Sequence, residues 1–540
     1  MAGWKAYDRS LDSPLKTLFL VFILWKLLLL LIAVLSPGPG YDTSTVILLR
    51  SSLTSSEHGV STAESLIARL TIKLLRWDAI YFAKIAERGY LHEQEWAFGW
   101  GFTRLVSFIA QSKLAHTTLS GAPLIVTIWA GVTIAHVSHL LSVFVLHHLI
   151  SCILPEPSRK RTAFLTATLH ILSPASLFLS APYGESLFSL LNFLGMLFYV
   201  KSVRSHPRTP STTKDLYRVC GGILFGLATT VRSNGLLSGT IFAYDLIVLL
   251  TRPPRWAALR NLVVTTVAGI AVAAGFIVPQ WIAWETYCVQ PNTVASQRPW
   301  CSYWPSSIYA WVQDEYWDLG FLRYWTPSNA PLFLLAAPML YVLISTALAA
   351  PSFVTSPPAA DYRDFQPLEG QQIGALQNST SRETAATNTF ARHCLRRLAV
   401  PQLVLAVLAF TNFHVQIVNR IASGYPVWYL GIAVMLDDAQ SSYQSGRLVS
   451  VGKSLQQRQT SEVENRVGVP TSRDAKPKQG LEDRIVGNEK GMSRKAEWTV
   501  RAMIMGIKLK LRSIREGFDD RPTMGAAQKL FEALNFTQAL

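Results

Sequence analysis

The polar residues that could do chemistry in this chain stand in short clusters beside aromatic and apolar residues. The first cluster is Arg76-Trp77-Asp78, inside a segment whose apolar residues follow helical spacing, with Gly89 as the predicted C-cap. The pattern predicts one amphipathic helix lying against an apolar surface. A carboxylate held against such a surface is suited to accept a proton near neutral pH. The alternative is an ion pair of Asp78 with Arg76 or Lys84.

A second cluster combines carboxylates with flat rings. Glu93 and Glu95 precede a run rich in aromatic residues and glycine at 96–102. A sugar-binding surface needs this mixture, because rings pack on C–H faces while carboxylates accept hydrogen bonds from hydroxyls. The alternative is an aromatic belt at a membrane interface. His92 adds no metal site, since no second His or Cys lies at ligand spacing.

Three more clusters lie at the ends of apolar segments. Their polar residues are Tyr183 and Glu185, then Arg232 and Asn234, then His414, Gln416 and Arg420. An arginine at membrane depth needs an anionic partner. A phosphate is one such partner, because the guanidinium fork binds it through two hydrogen bonds. The alternative is pairing between helices, for example Arg232 with Glu185.

The composition predicts a membrane protein. Of 540 residues, 50% are hydrophobic and 16% are charged, whereas soluble domains have about 25% charged residues. This excludes a soluble multidomain enzyme and a disordered regulator, and 5 Cys exclude a disulfide-stapled secreted scaffold. The formal net charge is +16, from 50 Lys and Arg against 34 Asp and Glu. We attribute this excess to cytoplasmic loops and not to nucleic-acid binding.

The apolar stretches predict an all-α polytopic membrane protein with about ten transmembrane segments. The predicted crossings are 17–35, 122–153, 162–180, 186–200, 219–231, 235–250, 261–285, 331–350, 398–412 and 424–436. With this topology the basic clusters all fall on one side, which is then the cytoplasmic side. The polar clusters described above share the other, lumenal side.

We interpret residues 1–436 as one transmembrane domain and residues 437–540 as a basic polar tail, either disordered or an extension from the gene model. The main segments outside the membrane are a lumenal catalytic loop at 36–97, an aromatic-rich lumenal loop at 286–330 and a flexible cytoplasmic loop at 351–391. Cys288 and Cys301 share the aromatic loop, and whether they form a disulfide is left open.

In their order along the chain, the motifs resemble those of the GPI mannosyltransferase 2 family over roughly residues 10–436. The resemblance is carried by the segments 76–82, 93–102, 182–188, 230–235 and 412–426. It implies a GT-C-like glycosyltransferase, multi-pass in the endoplasmic reticulum membrane. Such an enzyme adds the second, α-1,6-linked mannose from dolichyl phosphate mannose to the GPI-anchor precursor. A small membrane partner subunit is also expected from the resemblance.

For the site, the resemblance implies an inverting displacement in which Asp78 is the base that takes the acceptor hydroxyl proton. Arg232, His414 and Arg420 are the expected cations beside the leaving phosphate. The other expected substrate contacts are Trp77, Glu93, Glu95, Tyr183, Glu185, Asn234 and Gln416. With one phosphate and these side-chain cations, we expect neither a metal ion nor another cofactor.

Two other functions stay open. One is another mannosyltransferase that uses dolichyl phosphate mannose, at a different GPI step or on an N-glycan precursor. The other is a secondary transporter, whose polar residues should lie near the membrane midplane. The clusters here lie at the ends of predicted spans, which favours the enzyme.

Overall fold

The computed structural model describes residues 12–36, 44–53, 62–112, 123–156, 159–204, 210–251, 256–289, 298–354 and 371–438. Within these ranges the chain forms helices and turns and no strand, which confirms the predicted all-α class. Nearly all of the predicted polar tail, from residue 439 onward, lies outside the described residues. So do residues 355–370 of the predicted cytoplasmic loop, whereas 371–391 are part of helix Gln371–Thr411.

Among the described residues, seven helices are long and apolar enough to cross a membrane, and each overlaps a predicted crossing. They are Pro14–Leu35, Pro123–Ile153, Glu185–Val203, Ser233–Leu250, Ala258–Val289, Pro327–Phe353 and Thr384–Thr411. A helix pairs its backbone N–H and C=O groups internally, as the bilayer core requires of a spanning segment. The protein is therefore a polytopic membrane protein, but the predicted count of about ten crossings is not confirmed.

The other three predicted crossings are helical in part, for separate reasons. Helix Arg159–Ile171 has 13 residues and gives way to irregular backbone at 172–184, well short of the ~20 residues that a span needs. Helix Ser211–Val231 is long enough, but charged residues in its first half lower its hydropathy. The predicted crossing 424–436 forms a helix only at 427–438, which is also short of the ~20 residues that a span needs.

Further short helices complete the structure. They are Ser44–Leu53, Thr62–Leu74, Asp78–Arg88, Trp100–Ala110, Ile308–Glu315 and Val418–Ile421. Helix Trp256–Trp284 forms most of the spanning segment Ala258–Val289. Helix Ser211–Val231 packs so closely on it that a Cβ on Gly222 would lie 2.5 Å from the carbonyl oxygen of Ala268. Such small-residue contacts are typical of helix pairs in membranes. The contact fixes the helix whose end carries Arg232.

The amphipathic segment around Asp78 is not one helix, as predicted, but two. Helix Thr62–Leu74 ends, and a new helix begins at Asp78, because Trp77 adopts a φ of 49° that a right-handed helix cannot accommodate. At this break the carbonyl oxygen of Arg76 accepts hydrogen bonds of 3.0 Å from the Ala79 N–H and 2.7 Å from the Tyr183 hydroxyl. The predicted C-cap is confirmed: Gly89 has a φ of 86°. The break places Asp78 at a helix N-terminus.

A buried lysine in the first spanning helix positions the irregular segment 172–184. Nζ of Lys26 donates hydrogen bonds of 2.8 Å to the carbonyl oxygen of Leu179 and 2.7 Å to Oγ of Ser180. These bonds satisfy backbone that lacks helical partners. The segment leads directly into Tyr183 and Glu185, so Lys26 helps to fix two of the predicted site residues.

Candidate active site

Polar residues from distant parts of the chain meet at one end of the helix bundle, around a cleft of about 390 Å³. Seven of the predicted site residues line it: Trp77, Asp78, Arg232, Asn234, His414, Gln416 and Arg420. Ligand sites of proteins have volumes of this order. Within the described ranges, no three His, Cys, Asp or Glu side chains converge as the ligands of a metal ion would.

An ionic cluster of two carboxylates and two guanidinium groups forms the centre of the site. Oδ2 of Asp78 lies 2.6 Å from Nη1 of Arg420. Oε1 of Glu185 lies 2.5 Å from Nη1 of Arg232 and also accepts a hydrogen bond from Nε of Arg420. The interhelical pairing that the sequence left open for Arg232 is thus present. The cluster has two positive and two negative groups, so its formal charge is zero.

The two carboxylates differ in access to the cleft. The side chain of Asp78 is 35% exposed, whereas that of Glu185 is 1% exposed. Asp78 is the first residue of helix Asp78–Arg88, where the partial positive charge of the helix end favours an acidic residue. It thus has an ionic partner, Arg420, in addition to the apolar surroundings expected from the sequence. Of the two acids, only Asp78 is placed to meet a ligand.

The pKa values of the two arginines shift in opposite directions. Burial by itself would lower the pKa of Arg420, but the adjacent Glu185 and Asp78 raise the pKa above its ordinary value. Burial lowers the pKa of Arg232, and Glu185 offsets this only in part. Both side chains stay charged at neutral pH, since the ordinary arginine pKa is so high.

Several buried polar atoms at the site have no hydrogen-bond partner among the residues that the structure describes. They are Oε2 of Glu185, Nε of Arg232 and Oδ1 of Asn234. Buried polar atoms are nearly always hydrogen-bonded, and exceptions need an explanation. Arg232 and Asn234 line the cleft, so a polar ligand there is a natural partner for their atoms.

His414 lines the cleft, but its surroundings do not make it the cation that was expected. Nε2 of His414 lies 3.1 Å from the carbonyl oxygen of Trp317, to which it donates a hydrogen bond. Burial lowers the pKa of His414, and the hydrogen bond to Trp317 opposes this only in part. The ring is therefore neutral near pH 7, and it offers a ligand hydrogen-bonding capacity instead of charge.

Glu93 and Glu95 lie outside the cleft. Glu95 accepts a hydrogen bond of 2.7 Å from Arg88 and two more from backbone N–H groups. Burial alone would raise the pKa of Glu95, but these hydrogen bonds lower it below its ordinary value. Glu93 accepts a 2.7 Å hydrogen bond from Nε1 of Trp300 and pairs with Arg298. The two acids connect the segment before the cleft to its neighbours.

Tyr183 is also behind the cleft and not on its surface. Its ring is 2% exposed and lies 4.9 Å from the guanidinium carbon of Arg420, a cation–π distance. Its hydroxyl donates to the carbonyl of Arg76. Tyr183 therefore links the helix break beside Asp78 to the arginine that pairs with Asp78.

Several further residues of the cleft were not singled out from the sequence, among them Tyr309, Gln313, Trp317 and Phe413. The first three belong to the aromatic loop 286–330, where Cys288 and Cys301 form a disulfide. The hydroxyl groups of Tyr309 and Ser233 lie 2.7 Å apart, which joins this loop to the segment with Arg232. The density of aromatic residues in the loop was the available signal, but it does not identify which rings face the site.

Comparison with known proteins shows which family the chain resembles. The family model described as Mannosyltransferase (PIG-V) matches residues 15–450. GPI mannosyltransferase 2 of Aspergillus fumigatus is 41% identical over 446 residues, which cover 81% of this chain and 88% of that protein. GPI mannosyltransferase 2 of Gibberella zeae is 40% identical, over 79% of this chain and 91% of that protein.

Among solved structures, the chain is similar to the crystal structure of the Archaeoglobus fulgidus oligosaccharyltransferase with a bound acceptor peptide. The TM-score is 0.35 at 14% identity, over 67% of this chain and 46% of that chain. A likeness at that score carries no argument about function. The sequence matches, in contrast, span the segments that form the cleft and confirm the resemblance drawn from the motifs. The chain therefore belongs to the mannosyltransferase (PIG-V) family.

Proposed function

We propose that this mannosyltransferase adds the second mannose, in α-1,6 linkage, to the GPI-anchor precursor, with dolichyl phosphate mannose as the donor. The observation that carries the proposal is the joint placement of Asp78 and the guanidinium groups of Arg232 and Arg420 at one cleft. Transfer from a glycosyl phosphate needs a base for the acceptor and cations for the departing phosphate. The names of the relatives support GPI as the pathway.

Asp78 acts as the base in the proposed reaction. The acceptor hydroxyl transfers its proton to Asp78 as its oxygen forms a bond to the anomeric carbon of the donor mannose. The bond between that carbon and the phosphate oxygen breaks at the same time, and its electron pair stays on the phosphate. A single displacement inverts the β-linked donor to an α-linked product. The cleft-facing position of Asp78 suits this role.

Arg232 and Arg420 stabilise the departing phosphate. Both now share Oε1 of Glu185, but Nε of Arg232 is buried without an acceptor in the part of the chain that the structure describes. A phosphate in the cleft supplies that acceptor and adds negative charge to a neutral cluster. His414 contributes a neutral polar contact.

The aromatic walls of the cleft are suited to bind the sugars. Trp77, Trp317 and Tyr309 present rings to the cavity, and such rings pack against the apolar faces of hexoses. Asn234 and Gln416 add amide groups for hydroxyls. The proposal also includes residence in the endoplasmic reticulum membrane and a small membrane partner subunit, both of which rest on the family resemblance.

The test is to deplete the protein in its native cells and to profile the accumulated lipids. We expect a GPI precursor with one mannose, which should disappear when the wild-type gene is restored. A normal GPI series with shortened N-glycan precursors would contradict the proposal and favour the other class of acceptor. Membranes from the same cells should transfer mannose from dolichyl phosphate mannose and not directly from a nucleotide sugar.

A further inference from the structure

A second cavity lies at the far end of the helix that begins at Asp78. It has a volume of about 240 Å³ and lies between helices Asp78–Arg88 and Trp100–Ala110. Its lining is rich in polar groups, which include Arg88, Arg104 and Ser107. None of the residues that line this cavity also lines the reaction cleft.

The charges around this cavity do not balance. Arg88 pairs with Glu95 at 2.7 Å, and Lys84 pairs with Glu87, which also lines the cavity, at 2.7 Å. Arg104 forms no ion pair with a carboxylate of the described ranges. The lining itself therefore holds two cations, Arg88 and Arg104, against one carboxylate, Glu87. The positive charge without a carboxylate partner is the exposed guanidinium of Arg104. An anion is the ligand that such a cavity favours.

Helix Trp100–Ala110, which carries Arg104, has the features of a helix at a membrane surface. Ser107 and Phe108 lie three and four residues after Arg104, and the C-cap Gln111 lies four and three residues after them, which places all four on one side. The Phe108 side chain is 76% exposed. An exposed aromatic residue one helical turn from a basic residue is typical of helices that lie at the level of lipid headgroups. Lipid phosphates lie at this depth, where basic residues attract them.

The two cavities lie at opposite ends of helix Asp78–Arg88. Helix Asp78–Arg88 has 11 residues, so at about 1.5 Å per residue its ends lie roughly 15 Å apart. In the acceptor, glucosamine and inositol rings separate the reacting mannose from the phosphodiester, which is anchored at the membrane surface. With its reacting hydroxyl at Asp78, the acceptor can lie along this helix and reach Arg104.

We propose that the cavity between helices Asp78–Arg88 and Trp100–Ala110 binds the phosphodiester of the glycolipid acceptor, with Arg104 as its principal cation. The inference rests on the proposed function, since it takes a phosphoinositide glycolipid as the acceptor. Arg88, held by Glu95, supplies a second positive group at the cavity wall. The site measures the distance from phosphate to reacting hydroxyl, and so selects for acceptor length.

The test is the steady-state kinetics of Arg104→Gln in micelles of a phosphate-free detergent. The substrates are a synthetic mannosyl-glucosaminyl-phosphatidylinositol and dolichyl phosphate mannose. Loss of a charged hydrogen bond should raise the KM for the acceptor about tenfold or more. The kcat and the KM for the donor should not change. Because Arg104 is exposed, the variant should keep the wild-type melting temperature.

Two controls decide how the result is assigned. Arg260→Gln removes an exposed arginine that pairs with Asp215 on other helices, and it should leave all kinetic constants unchanged. A mannosyl-glucosaminyl-inositol that lacks the phosphate should give the same KM with wild type and Arg104→Gln. An equal defect with both acceptors would overturn the proposal, because Arg104 would then act through the fold.

The remaining outcomes separate this inference from the proposed function. An unchanged acceptor KM in Arg104→Gln overturns the phosphodiester site but leaves the proposed function intact. If Arg104→Gln raises the acceptor KM only after phospholipid is added, the cavity binds the headgroups of bulk lipids. That result would overturn the proposal that it binds the acceptor phosphodiester. If the wild type transfers no mannose to the GPI acceptor, the proposed function itself fails.

Discussion

The carboxylate of Asp78 lies 2.6 Å from the guanidinium of Arg420, although the two residues are 342 positions apart in the chain. Arg420 also bonds to Glu185, whose side chain is buried. One arginine therefore joins an exposed acid to a buried acid. This arrangement fixes the orientation of Asp78 toward the cleft while it leaves the second carboxylate inaccessible to substrate.

The cleft depends on close approach between the segment 97–99 and the end of helix Ser211–Val231. A Cβ on Gly99 would overlap the carbonyl oxygen of Val231, next to Arg232. We expect Gly99→Ala to cost about 1–3 kcal/mol of stability, as overpacking does, and to lower mannosyl transfer. Thermal unfolding and transfer rates of the purified protein measure both effects. Gly269→Ala is the matched control, since no atom lies within 4 Å of its added Cβ; equal behaviour of the two variants would contradict this explanation.

Glu185 is predicted to act through structure more than through contact with substrate. Glu185→Gln leaves two neighbouring guanidinium groups without their shared carboxylate. Breaking a buried ion pair by removing one partner typically costs about 3–5 kcal/mol. The melting temperature should therefore fall markedly, together with activity. Glu156→Gln, which breaks an exposed pair with Arg159, should cost no more than ~1 kcal/mol. A stable Glu185→Gln protein would show that the cluster does not support the fold.

The half-buried imidazole of His414 predicts a pH effect on stability. Burial lowers the pKa of His414 in the folded protein, so the unfolded chain, with a pKa of about 6.5, takes up a proton at higher pH. Stability is therefore lost as the pH falls below about 6.5 and is not lost above it. His414→Gln offers an amide in place of the ring, so it should show a smaller drop in melting temperature between about pH 7.5 and about pH 5.5. Parallel pH curves for the two proteins would rule out this role.

The sequence predicted which segments meet at the site better than it predicted the contacts between their side chains. Arg232 and Arg420 were expected beside a phosphate because arginines at membrane depth need anions, and they do meet at one cleft. Glu93 and Glu95 were expected to contact substrate but lie outside the cleft, because they pair with Arg298 and Arg88, which do not line it. Spacing along a chain shows which residue types are close in sequence, but not which way each side chain turns after folding.

The helix prediction failed at Trp77 for a related reason. The apolar spacing continues through the segment without interruption, and only the backbone at Trp77 breaks it. At the break the carbonyl of Arg76 accepts a hydrogen bond from Tyr183, which lies more than a hundred residues later in the chain. Long-range partners of this kind have no local signal. The seven spanning helices, in contrast, were predictable because their length and hydropathy are local properties.

The central claim is that Asp78 is the base of the transfer reaction. In purified protein with dolichyl phosphate mannose and the GPI acceptor, Asp78→Asn should lower kcat by about 10²–10⁴-fold. The variant should remain folded, since Arg420 keeps Glu185 as a partner. Glu315→Gln, an exposed acid at the end of helix Ile308–Glu315, is the matched control and should keep full activity. The account predicts that only Asp78→Asn loses transfer; wild-type kcat in that variant would contradict it.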